Sequence, residues 1–152
     1  MTTPPLLLLA DRGCLKAFHV NRKAPHRPAA RLIDSWSFEE AHGDFSDRYS
    51  DQAGSFPEGG TGGQGNAHAE RMTLDAERET RIFRQIATRL TAFLEEHEPA
   101  RWGFAAPAEI NGAILDGLDE RWKERLTVNL TRDLINHPAQ EMLEIFAKTQ
   151  ER

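Results

Sequence analysis

Pro4-Pro5-Leu6-Leu7-Leu8-Leu9-Ala10-Asp11-Arg12-Gly13 is the stretch that decides the fold of this 152-residue chain. Its apolar run, residues 5–10, has no polar position, so neither side of it is designed to face water. A run this short and this uniform, bounded by prolines and by Asp-Arg-Gly, reads as a buried strand entering a tight turn. A strand buried on both faces needs a sheet with cover on both sides. The rest of the chain is therefore searched for partner strands and covering helices.

Cys14 to Val20 mixes apolar and polar positions and is expected to return as a second strand. Asn21 to Pro28 is a polar, proline-bearing connection. Arg31 to Phe38 alternates in part with period two and is expected as a third strand. From about 41 to 72 no periodicity survives, and loops of that length are usually functional or disordered. Six of the twelve residues from Gly54 to Gly65 are glycine. Glycine raises the entropy lost on ordering, so such a loop is either a mobile linker or a place of close backbone approach.

A helix follows, with Thr73 or Asp75 as cap and Glu77 and Glu79 near its positive end. Ile82, Phe83, Ile86, Ala87, Leu90, Phe93 and Leu94 recur at helical spacing and form its core face. Trp102 to Ala106 is a short apolar strand. Pro107 starts a second helix through about Leu118 that packs Ile110, Ile114 and Leu115, and a further turn is expected at 120–124. Leu126 to Leu130 is the last strand, and Pro138 opens a final helix burying Met142, Leu143, Ile145 and Phe146. The order βββ-α-β-α-β-α predicts a single α/β domain over 1–152: a mixed five-stranded sheet with helices on its faces. That order resembles the ribonuclease H-like arrangement, which hosts many unrelated functions.

Composition narrows the function classes. Apolar content of 39% and charged content of 28% suit a soluble globular protein. The net charge of −5 argues against a surface built as a whole for a polyanion. Between Asp11 and Arg31, however, Arg12, Lys16, Arg22, Lys23, Arg27 and Arg31 face one acid. That cluster is either a local site for RNA or phosphate or an ordinary solvated hairpin. Cys14 is the sole cysteine, so no internal disulfide or thiolate metal cluster forms. Leu6 to Ala10 lacks the length and the basic flank of a signal sequence, and no run spans a membrane. A cytoplasmic location is expected, with no membrane contact.

Catalytic patterns are sparse. Asp11 at a strand end, with Glu77 or Glu79 from the helix, suggests part of a two-metal site, but Ala105-Ala106-Pro107 stands where a further acid is needed. His19, His26, His42, His68, His97 and His137 have no metal-ligand spacing, and no cofactor is expected. His42 with Asp44 and Asp47 reads either as a weak metal site or as a solvated acidic loop. No Gly-x-Ser-x-Gly elbow or Walker lysine is present. Phosphate cradling by the backbone N–H groups of the glycine cluster stays open.

Several segments, in order, carry a family resemblance. They are Ala10-Asp11-Arg12-Gly13, Gly54-Ser55-Phe56, the glycine cluster leading to His68-Ala69-Glu70, Glu77 through Phe83, Ala105-Ala106-Pro107, and Arg132 through Pro138. Over nearly its whole length the chain resembles the host attachment protein family. That family is more distantly similar to the central domain of archaeal and eukaryotic class-one peptide release factors, where a Gly-Gly-Gln tip precedes a long helix. Gly62-Gly63-Gln64 occupies the comparable place. The resemblance implies that the glycines let backbone enter a tight ribosomal centre while Gln64 helps place water at a peptidyl-tRNA ester. It departs from that pattern in having Glu58 before the tip and Gly65-Asn66 after it, where basic residues are expected. The expected binding residues are Arg12, Lys16, Arg22, Lys23, His68 and Arg132, and the expected partner is the ribosome or RNA. The alternative is a non-enzymatic interaction module, with a protein partner or a second copy of the chain.

Overall fold

The computed structural model describes residues 3–23, 28–38 and 64–150, with the side chains of all of these except 64–73. Five strands form one sheet: β1 (Leu6–Ala10), β2 (Cys14–Asn21), β3 (Ala29–Ser37), β4 (Trp102–Ala105) and β5 (Leu126–Leu130). Their spatial order is β3-β2-β1-β4-β5. β1 pairs antiparallel with β2 and parallel with β4, while β3 and β5 extend the two halves. The α/β class and the mixed five-stranded sheet expected from the sequence are what the chain forms.

β1 lies at the centre, and its five residues are all buried. Its alternating side chains feed two cores. Leu6, Leu8 and Ala10 face one side of the sheet, where α1 (Gln64–His97), α2 (Ala108–Asp116) and the short α3 (Glu120–Glu124) supply Ile82, Ile86, Leu90, Leu94, Ile110, Ile114 and Trp122. Leu7 and Leu9 face the other, under Leu134, Ile135 and the Met142, Leu143 and Phe146 of α4 (Ala139–Gln150). At roughly 1.5–3 kcal/mol for each large apolar side chain buried, these two clusters supply the main driving force of the fold. The Trp102 indole Nε1 donates a 2.7 Å hydrogen bond to the Trp122 carbonyl, tying the start of β4 to α3 inside the first core.

Several boundaries differ from the sequence reading. α1 starts at Gln64 and not at a Thr73 or Asp75 cap, so residues 64–72 of the expected loop are helical. That segment has no apolar face to reveal it, yet Ala67, Ala69, Glu70, Arg71 and Met72 are strong helix formers that extend a helix already nucleated downstream. The remainder of that expected loop, with Gly62 and Gly63, lies outside the described residues. β3 begins two residues before Arg31 and carries an irregularity, because Ala17 pairs with Asp34 while Phe18 pairs with Leu32. Ile33 is the extra residue of this bulge. Phe83, Leu115 and Ile145, expected in the core, are only half-buried. Glu98, the residue after α1, has a left-handed φ of 45°, and its N–H bonds the Leu94 carbonyl at 2.8 Å.

Candidate functional site

Open sheets of this kind bind ligands beyond the carboxyl ends of their parallel strands. Here those ends are Asp11 after β1, Ala106-Pro107 after β4, and Thr131-Arg132 after β5. Asp11 is a turn former. Its Oδ1 accepts the Gly13 N–H at 2.8 Å, and its own N–H donates to the Cys14 carbonyl at 3.0 Å. On the β4–β5 side of the sheet, Asn111 of α2 and Asn129 of β5 exchange amide hydrogen bonds of 2.8 and 2.9 Å. Asn111 is buried and also donates to the Leu130 carbonyl at 3.1 Å. Near the end of β5 the helix and sheet are thus joined by a neutral amide pair whose members satisfy each other. Among the described residues, no group of three or more His, Cys, Asp or Glu is placed to hold a metal ion.

The basic residues between Arg12 and Lys23 do not form one patch. Arg12 sits at one end of β2 and Arg22 and Lys23 in the turn at the other, eight residues of strand apart. At about 3.3 Å per residue that is roughly 25 Å. Arg12 Nε donates to Glu79 Oε1 at 3.2 Å, a pair with both side chains about half exposed. Lys16 Nζ donates to the Ile135 carbonyl at 3.0 Å and holds the segment before α4 against the sheet. Arg132 lines a shallow groove of about 300 Å³ with Ile145, Lys148 and Thr149. Gln64 is the first residue of α1, and His68 lies one turn further along it.

A second groove, of about 410 Å³, was not foreseen from the sequence. Phe38, just past β3, and Arg84, Gln85, Thr88, Arg89 and Ala92 of α1 line it. Trp36 is next to one of these residues: the Arg89 guanidinium lies 5.6 Å from the centre of its ring, and its ring packs edge-on with Phe93 at 5.5 Å between centroids. The helix explains the placement. Ile82, Ile86, Leu90 and Phe93 turn into the core, which leaves the 84/88 and 85/89/92 rows turned outward beside β3. A sequence signal for it existed. From Thr80 to Leu94 the chain carries Arg81, Arg84 and Arg89 and no acid, in a protein of net charge −5.

Residues 6–145 match the family described as proteins required for attachment to host cells. The chain belongs to this host-attachment family. The match spans the whole sheet and most of α4, so the groove beside α1, the amide pair and the head of α1 are all parts of a host-attachment domain. No curated protein matches this host-attachment chain. Among its described residues, no helix is long and apolar enough to cross a membrane.

Proposed function

We propose that this host-attachment protein is a ribosome- or RNA-associated factor of the cytoplasm, and that Gly62-Gly63-Gln64 is its working tip. The observation that carries this reading is that Gln64 opens a 34-residue helix. Ile82, the first of its buried apolar residues among those with described side chains, lies eighteen positions further on. At 1.5 Å per residue Gln64 stands roughly 27 Å along the helix from that anchor. Reach of this kind suits a tip that enters a confined centre. There the Gln64 amide would orient a water molecule toward the ester carbonyl of peptidyl-tRNA. Water adds, the acyl–oxygen bond breaks, and the tRNA hydroxyl leaves with the proton. Purified protein is then expected to co-sediment with ribosomes at low salt and to leave them at high salt, as phosphate contacts require. It is also expected to release peptide from stalled ribosomes, with Gln64→Ala abolishing release. Absence of both co-sedimentation and release rejects the reading.

Family membership favours a second reading, a non-enzymatic interaction module serving attachment to host cells. It predicts that deleting residues 54–66 abolishes capture of a protein partner in a pull-down. Unchanged capture counts against it.

A further inference from the structure

We infer that the groove between the end of β3 and α1 binds a short stretch of single-stranded RNA. The inference rests on the RNA-associated reading above but concerns a different surface from the Gly62–Gln64 tip. Three observations converge on it. The first is charge: Arg84 and Arg89 are exposed, and neither forms an ion pair with a carboxylate among the described residues. Both guanidinium groups line the groove from neighbouring rows of α1, five residues and about 7.5 Å of rise apart, and together they attract an anion with more than one charge.

The second observation is the aromatic lining. Phe38 lines the groove, and Trp36 packs behind its Arg89, between that guanidinium and Phe93. Stacking a base on a side chain of this kind contributes about 1–3 kcal/mol and tolerates any base. The third is the polar complement and size. Gln85 and Thr88 present hydrogen-bonding groups between the arginines. The volume of about 410 Å³ falls in the range of about 300–1,000 Å³ typical of ligand sites. An acidic peptide would satisfy the arginines but would place nothing flat against Phe38. An apolar peptide would leave the arginines unanswered. Single-stranded RNA uses both kinds of group at once.

Tryptophan fluorescence reads the site directly. Trp102 and Trp122 are fully buried, whereas Trp36 is half-buried and in contact with Arg89 of the groove. Titrating the full-length protein with a 12-nucleotide oligouridylate should quench Trp36, and Trp36→Phe should remove that signal. Arg84→Glu with Arg89→Glu should weaken binding at least tenfold. Each phosphate contact on a single strand contributes about 0.7 to the slope of log K against log salt, so this double variant should flatten that slope by about 1.4. Phe38→Ala should weaken binding and leave the slope unchanged. Circular dichroism melts of each variant establish that the fold is retained. Gln64→Ala should leave the titration unaltered, so failure of the groove and failure of peptide release are scored separately. The inference is overturned if the oligonucleotide causes no quenching, if polyglutamate binds equally well, or if the folded arginine double variant binds like the parent.

Discussion

Alanine at Gly103 should destabilise the protein, whereas alanine at Gly112 should stabilise it. Gly103 lies in β4 between β1 and β5, paired with Leu7 on one side and Val128 on the other. A Cβ there would stand 2.7 Å from Leu7 Cδ2, 2.8 Å from Val128 Cγ1 and 3.3 Å from Pro4 Cγ. Carbon atoms rest at about 3.5–4.0 Å, so two neighbours must each retreat by roughly 1 Å. Leu7 is wholly buried, so its retreat must displace neighbours in the core. Overpacking of this kind costs about 1–3 kcal/mol. The stiffer unfolded chain returns about 0.4–1 kcal/mol. The net loss is about 1–2 kcal/mol, or roughly 2–8 °C in Tm for a domain of this size. Gly112 in α2 has nothing within 4 Å of its would-be Cβ. Alanine there should add about 0.5–1 kcal/mol through helix propensity. Gly117, whose added Cβ would meet Ala87 Cβ of α1 at 2.8 Å, should behave like Gly103. Urea unfolding followed by circular dichroism measures all three, provided that m stays constant. A Gly103→Ala protein as stable as the parent would refute the packing argument.

Other expectations follow from single contacts. Trp102→Phe removes the indole donor to the Trp122 carbonyl, which keeps the Arg125 N–H at 3.2 Å, and should cost about 0.5–1.5 kcal/mol for the one lost hydrogen bond, read by urea unfolding. Asn111→Ala and Asn129→Ala should be strongly non-additive, with a coupling of about 0.5–3 kcal/mol in a double-mutant cycle; agreement with simple addition would mean that the amides act independently. Glu98→Gly should raise stability by a few tenths of a kcal/mol, because a left-handed φ of 45° strains a residue with a Cβ while glycine's freer unfolded chain offsets part of the relief. Arg12→Ala or Glu79→Ala should change stability by less than about 1 kcal/mol, since both side chains of that pair are half in water.

Strands buried on both faces were the most legible part of the chain. Leu6–Ala10 and Trp102–Ala105 read directly from the sequence, because a short apolar run flanked by turn residues leaves few alternatives. The first turns of α1 were invisible to the same logic, since residues 64–72 have no apolar face and only their intrinsic propensity marks them as helical. The bulge at Ile33 was also hidden, because register depends on partners and not on a strand's own composition. At the candidate site the limit was distance. The Arg12–Lys23 cluster is compact in sequence, but an extended strand carries its two ends far apart. Conversely, Phe38 and Arg84 are remote in sequence and become neighbours only when α1 crosses beside β3. The acid-free run from Thr80 to Leu94 was the clue that the sequence did contain.

The central position of β1 also has a kinetic side. On one edge Leu7 meets Phe18 of the adjacent hairpin, and on the other it meets Gly103, beyond the whole of α1. Closing the longer of these loops costs about 2 kcal/mol more chain entropy than closing the shorter. The β1–β2–β3 meander can therefore assemble early from local contacts, but β1 then presents an unpaired hydrophobic edge until β4 arrives. During that interval this edge is a template that another chain can occupy. Docking of α1, whose Ile86, Leu90 and Leu94 cover β1 on one face, shortens the search by carrying the chain back toward that edge. The long helix thus acts during folding as the guide that lets the parallel half of the sheet find its place before a neighbouring molecule does.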